Sequence, residues 1–226
     1  MKAIVTGGAG FIGSHIVDLL LKENIDVTVL DNLSTGRPEN LDHVREQIKL
    51  VECDLSVKGD WIQHFDNEDW VFHLAALADI VPSIQQPEAY FRANVDGTFN
   101  VLQAAKAAEV KRFIYIASSS CYGIPDKYPT PENAEIRPQY PYALAKRMGE
   151  ELVMHWAQVY NFPALSLRFF NVYGPNEYHK GGQKSVVAHA VKQIQETGQM
   201  NLFKSHHPDY EDGMQLRDFV YVKDIA

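Results

Sequence analysis

The sequence predicts a doubly wound α/β fold, a parallel sheet covered by helices on both faces. Three observations carry that prediction. Short, near-continuously apolar runs rich in β-branched residues alternate with segments of helical period from Lys2 onward. A glycine-rich turn joins the first of those runs to the first helix. An acidic residue, Asp31, closes the second run.

Lys2 to Thr6 (KAIVT) is the first strand, and Phe11 to Lys22 the first helix, with Ile12, Ile16, Leu19 and Leu20 at helical spacing. Val27 to Leu30 is the second strand. Further strands are expected at Ile48 to Val51, Trp70 to Leu74, Phe113 to Ala117 and Ala164 to Leu167. One long helix is expected from about Ser83 through Ala108; it is apolar on more than one side, which suits burial against both sheet and partner. Gly123 to Tyr140 holds four prolines and reads as a long functional loop. A second long helix starts near Pro141, a good first-turn residue, and continues through Leu152, Trp156 and Val159. After Tyr173 the alternation stops. Gly174 to Gly182 is loop-like, Ser185 to Glu196 helical, Ser205 to Gly213 polar, and Phe219 to Ala226 a strand entering another element.

Composition narrows the class. Of 226 residues, 46% are hydrophobic and 22% charged, a globular balance that excludes disordered, collagenous and coiled-coil chains. A formal charge of −8 with no basic block argues against nucleic acid and anionic membrane as partners. No apolar run approaches the ~18 residues of a membrane helix, and the start has no signal-peptide pattern. Cys53 and Cys121 make no disulfide framework and suit a reducing cytoplasm, the expected location. No metal is expected: His206 and His207 have no accompanying ligand cluster and read as solvated loop residues.

Gly7, Gly10 and Gly13 form G-x-x-G-x-x-G between strand and helix. That spacing serves a tight turn, a close backbone approach to pyrophosphate, and close helix–strand packing, while the helix N-terminus offers free N–H groups to phosphate. Asp31 stands where a carboxylate accepts hydrogen bonds from a ribose 2′-hydroxyl and repels a 2′-phosphate, which favours NAD over NADP; Arg37 nearby softens that preference. The fold is thus Rossmann-type. Asp54 reads either as a contact to the adenine amino group or as a turn residue.

Tyr142 and Lys146 stand at i and i+4 on one helix face. A tyrosine is a poor base at neutral pH, and a nearby cation is expected to lower its pKa. Ser118 follows the strand Phe113 to Ala117 at its carboxyl end, where open α/β sheets bind ligands. Together they supply a donor, an acid–base and an orienting cation around one substrate oxygen.

These motifs resemble the extended short-chain dehydrogenase/reductase family, in particular its NAD-dependent nucleotide-sugar epimerases and dehydratases. The resemblance rests on TGGAGFIGSHIV (Thr6 to Val17), VLDNLSTG (Val29 to Gly36), HLAA (His73 to Ala76) and NVDGTFNVL (Asn94 to Leu102). It extends through SSSCYG (Ser118 to Gly123), YPYALAK (Tyr140 to Lys146) and RFFNVYGP (Arg168 to Pro175). It implies Tyr142 as the proton shuttle, Lys146 on the nicotinamide ribose, and Ser118, with Ser119 as fallback, on the reacting hydroxyl. It also implies a cofactor pocket of Gly7, Gly10, Phe11, Ile12, Gly13, Asp31, Asn32, Asp54, Leu55, Leu74, Ala75, Ala76 and Asn94, joined by Tyr142 and Lys146. Asn171 is implied at the sugar diphosphate, and a homodimer through two long helices.

Ser119 and Ser120 occupy the places of the dehydratases' acid pair, and Ser120 that of the decarboxylases' glutamate, so an epimerase is expected. The first two-thirds resemble UDP-hexose 4-epimerases. The stretch NEYHKGGQKSVVAH, with LFKSH and QLRDFVYV, resembles ADP-glycero-manno-heptose 6-epimerases. That second resemblance implies Lys180 as another acid–base, with His189, Phe203 and Arg217 holding the nucleotide and its diphosphate; a solvated loop lysine is the alternative for Lys180. Residues 1–172 are expected to form the NAD-binding domain, and 173–226 a partial nucleotide-sugar domain that looks truncated beside the family. A non-catalytic NAD-binding redox sensor or scaffold, and a net dehydrogenase, are the competing readings.

Overall fold

The computed structural model describes residues 1–177, 185–205 and 208–226. Six parallel strands form one sheet: β1 (Lys2–Thr6), β2 (Asp26–Asp31), β3 (Ile48–Glu52), β4 (Trp70–His73), β5 (Arg112–Ser118) and β6 (Ala164–Phe169). Their order is β3-β2-β1-β4-β5-β6, the doubly wound arrangement, with the direction of winding reversing between β1 and β4. Each strand buries alternate residues on opposite faces. Ile4, Leu30, Val71 and Phe113 enter one core with Val101, Leu102 and Val153, while Ala3, Val5, Val27 and Val29 enter another with Ile16, Val17 and Leu20. The second of these lies under helix α1 (Phe11–Lys22).

The single helix expected from Ser83 through Ala108 is four pieces. They are α2 (Ile80–Gln85), α3 (Pro87–Phe91), a π-helical turn over Arg92–Asp96, and α4 (Gly97–Ala107). Pro87 supplies the first break: it lacks an N–H and disfavours helical backbone before it, and Gln86 sits at φ −133°, ψ 56°. The Thr98 hydroxyl, at the start of α4, donates to the carbonyl of Asn94 in the π turn at 2.7 Å. The links from β2 to β3 and β3 to β4 are 3-10 turns over Pro38–Gln47 and Asp60–Phe65.

Helix α5 (Pro141–Tyr160) begins at the expected proline and ends at Asn161 in left-handed backbone, φ 50°. Helix α6 (Val186–Thr197) starts after Ser185, whose hydroxyl caps it by accepting from Ala188 N at 3.1 Å. A second, two-stranded parallel sheet pairs β7 (Asn171–Tyr173) with β8 (Phe219–Tyr221), which runs into α7 (Val222–Ile225). Val172 and Val222 pack on Phe11 of α1, which sets this small sheet beside the carboxyl edge of the large one. Among the described residues no helix is long and apolar enough to cross a membrane.

Candidate active site

A cleft of about 750 Å³ opens along the carboxyl ends of the strands, where the winding reverses. Its floor is the glycine turn. Gly7 has φ +70°, and a Cβ there would lie 2.8 Å from Ala75 N; a Cβ on Gly13 would collide with the Gly7 carbonyl oxygen. Only backbone without side chains brings β1, the β4 loop and α1 this close. Among the described residues no side chain caps the N-terminus of α1, and Gly10, Phe11, Ile12 and Gly13 at its start line the cleft. Asp31 closes β2 almost fully buried; its Oδ2 accepts from Ala9 N at 3.0 Å and its Oδ1 from Leu33 N at 2.9 Å. Burial pushes its carboxyl up, against the pull of those two N–H groups. Each oxygen keeps acceptor capacity for a hydroxyl. Asp54 lines the cleft, and its Oδ1 accepts from Ser56 N and Oγ as a turn residue does.

Behind the cleft runs a buried relay that fixes a tautomer. Thr6 Oγ1 accepts from Leu74 N and Ala75 N, each at 3.1 Å, so its own proton goes to His73 Nδ1 at 2.7 Å. His73 Nε2 then carries the ring proton and donates to Thr98 Oγ1 at 3.0 Å. Burial, with Lys146 nearby, holds His73 neutral down to about 3. Asn94 does not line the cleft as expected. Its amide clamps both backbone groups of Leu77, at 2.8 and 2.9 Å, because the π turn aims it at the β4 loop. Thus Asn94 shapes the pocket wall from behind.

Ser118 ends β5 at the cleft edge, facing Tyr142 and Lys146 of α5. Ser120 N and Oγ both donate into Ser118 Oγ, at 3.2 and 2.8 Å, which leaves the Ser118 proton to donate to Tyr142, its hydrogen-bond partner. Lys146 is 4% exposed, with Nζ 4.3 Å above the Tyr115 ring. Among protein groups alone the expected lowering of the tyrosine by the lysine does not occur. Burial raises the Tyr142 hydroxyl, the Ser118 hydrogen bond opposing it, and lowers the Lys146 ammonium to about 7. Desolvation dominates both groups, and the ammonium's partner in charge is Glu150.

Residues 3–226 match the NAD dependent epimerase/dehydratase family. The chain belongs to it. A putative UDP-glucose 4-epimerase of Methanocaldococcus jannaschii is 36% identical over 226 residues, covering 99% of this chain and 70% of that protein. The ADP-L-glycero-D-manno-heptose-6-epimerase of Nitratidesulfovibrio vulgaris is 37% identical over 232 residues, covering 99% and 69%. The structure of a UDP-N-acetylglucosamine 4-epimerase from Methanobrevibacter ruminantium, in complex with UDP-N-acetylmuramic acid, superposes with a TM-score of 0.90 at 36% identity, covering 99% and 70%.

NAD is the cofactor of this family member, and the side-chain-free glycine cradle under an uncapped helix N-terminus fits a pyrophosphate. Asn32, Leu55, Leu74, Ala75 and Ala76 line the same cleft. So do Asn171 and Arg217, whose guanidinium Nη1 donates to Leu216 O at 2.7 Å. His189 and Phe203 do not line it: α6 turns its N-terminal Ser185 and Val186 inward, and Phe203 lies on the surface, 53% exposed. Lys180, His206 and His207 lie outside the described residues. The sequence reading missed Thr6, His73 and Thr98 as a relay, although HLAA marked the place. It also missed Glu177, buried at the cleft, whose carboxylate accepts from Ser185 N and from Ser185 Oγ at 2.8 Å. Tyr90 was a third omission; its ring meets Tyr142 edge-on at 6.4 Å.

Proposed function

We propose that this chain is an NAD-dependent nucleotide-sugar epimerase of the ADP-glycero-manno-heptose 6-epimerase type. Residues 1–172 bind NAD and 173–226 supply the sugar side. The glycine turn and α1 hold the pyrophosphate, Asp31 the adenosine ribose, and Lys146 the nicotinamide ribose. Bound NAD supplies a hydride acceptor that returns the hydride to the carbon it left. Tyr142 takes the proton of the reacting hydroxyl and gives it back, while Ser118 donates to the oxygen that holds charge. Asn171 and Arg217 bind the diphosphate, Arg217 through its fork of donors. Lys180 is the acid–base of the opposite sugar face.

The observation that carries the C6 assignment is the stretch NEYHKGGQKSVVAH and its resemblance to heptose 6-epimerases, with the 37% identity to one such enzyme across 99% of the chain in support. Two residues within that stretch support it, since Glu177 and Ser185 both line the cleft. A UDP-hexose 4-epimerase is the second reading, favoured by the 36% relative and by a described site with one complete acid–base set. Proton NMR on both sugar nucleotides tests the choice: inversion at C6 of the heptose is expected, and inversion of UDP-glucose alone assigns C4. A homodimer through α4 and α5 completes the proposal. Phe99, Leu144 and Met148 stand exposed there, and the buried Trp156 indole N–H has no acceptor among the described residues.

A further inference from the structure

The catalytic face of α5 continues past Tyr142 and Lys146 to Glu150, a further turn along, and that carboxylate is buried. It is held from another strand. Arg168 Nε of β6 donates to both Glu150 oxygens, at 2.9 and 3.1 Å. Ser166 Oγ and Arg147 Nη1 add bonds of 3.0 Å each, so the carboxylate is fully satisfied.

The other end of Arg168 reaches the turn that follows Ser118 and the loop beyond it. Its Nη1 donates to the Tyr122 hydroxyl at 2.6 Å and to Glu132 O at 3.2 Å, and its guanidinium lies 4.8 Å over the Tyr122 ring. Tyr122 ends the short 3-10 turn Ser119–Tyr122 that follows Ser118, the turn whose Ser120 orients the Ser118 hydroxyl. In the sheet, Arg168 is the register partner of Ala117, one residue before Ser118. One guanidinium therefore touches the helix that carries Tyr142 and Lys146 and the turn that orients Ser118.

We propose that Arg168 and Glu150 are positioning residues, a cross-brace that sets the Ser118 turn against the Tyr142–Lys146 face of α5. The inference rests on the Ser/Tyr/Lys reading above and goes beyond it. A planar fork suits the task. Lysine, a single point charge, cannot hold the carboxylate and stack on the tyrosine together. Displacement of reacting groups by about 1 Å lowers turnover on the order of a hundredfold.

The test is Arg168→Lys in the full chain, measured as turnover per bound NAD with ADP-glycero-manno-heptose and with UDP-glucose. Counting only NAD-bound sites removes any unfolded fraction from the rate. Turnover per site is expected to fall about 10- to 100-fold, with the NAD Kd and the sugar KM within about threefold of wild type. A rate per site within about threefold of wild type overturns the proposal, as does a loss confined to the fraction of chains that bind NAD. Arg168→Met leaves Glu150 buried without its main partner, which is strongly destabilising. The double variant Arg168→Met/Glu150→Gln removes both charges instead, and it too is expected to bind NAD and turn over slowly. Tyr142→Phe run in parallel separates the two levels. Activity retained in Tyr142→Phe removes the Ser/Tyr/Lys reading, whereas loss there with wild-type rates in Arg168→Lys removes the cross-brace alone.

Discussion

Lys146 carries a charge that the fold opposes, and Lys146→Met measures the opposition. Burial lowers its ammonium from 10.5 to about 7, with Glu150 pulling the other way. Between those values the unfolded chain binds more protons than the folded one, so the wild type gains stability as pH rises through that window. One pH unit inside it corresponds to about 1.4 kcal/mol, and from pH 6 to pH 9 the gain is about 2.5 kcal/mol. Methionine has similar length and no proton to lose. The stability of Lys146→Met relative to wild type, with no NAD added, is therefore greatest at pH 6 and smaller by about 2.5 kcal/mol at pH 9. For a chain of this size that lowers the Tm of Lys146→Met relative to wild type by about 5–10 °C between pH 6 and pH 9 in thermal melts followed by circular dichroism. Groups that titrate in both proteins cancel in the difference. A variant-minus-wild-type Tm difference that stays constant or rises with pH refutes the reasoning, because Lys146 would then be charged in the folded state throughout.

Tyr142→Phe is expected to keep NAD binding by calorimetry while turnover falls by orders of magnitude, at least the ~10²-fold of a lost acid–base. Lys180→Ala is expected to abolish most inversion at C6 of the heptose and to leave inversion at C4 of UDP-glucose much less affected, both read by NMR. Glu68, whose carboxyl burial holds up at about 7, has one oxygen without a hydrogen-bond partner among the described residues. Its raised pKa stabilises the fold only while it is protonated, an advantage lost as pH rises through 7. After discounting for its partial exposure, Glu68→Gln is expected to be more stable than wild type by about 1 kcal/mol at pH 8, and equal to it by pH 4, in urea titrations.

What was legible in the sequence was periodic or locally forced. The apolar runs marked the six strands of the large sheet, the glycine spacing marked the cradle, and the i, i+4 spacing placed Tyr142 and Lys146 on one face opposite Ser118. Pro87 was visible too, yet the helical pattern around it hid the break at Gln86. Strand β7 has three residues, too few to show a period. Asn94 stood in a matched motif, but its role follows from a π turn that aims it at Leu77 rather than into the cleft. His73, Glu150 and Arg168 act through partners far along the chain, and such pairings leave no trace in spacing. The direction of the Tyr142 shift was missed for a related reason: the sequence shows a neighbouring cation, while desolvation depends on what encloses both groups.

The most direct measurement follows a label. UDP-glucose deuterated at C4 and ADP-glycero-manno-heptose deuterated at C6 are each incubated with the protein and NAD in ordinary water and read by NMR. Hydride removal and return within one site predicts an inverted product that keeps deuterium on the inverted carbon, with no rise in absorbance at 340 nm. Inversion with loss of the label to solvent, or steady accumulation of reduced cofactor, contradicts the account.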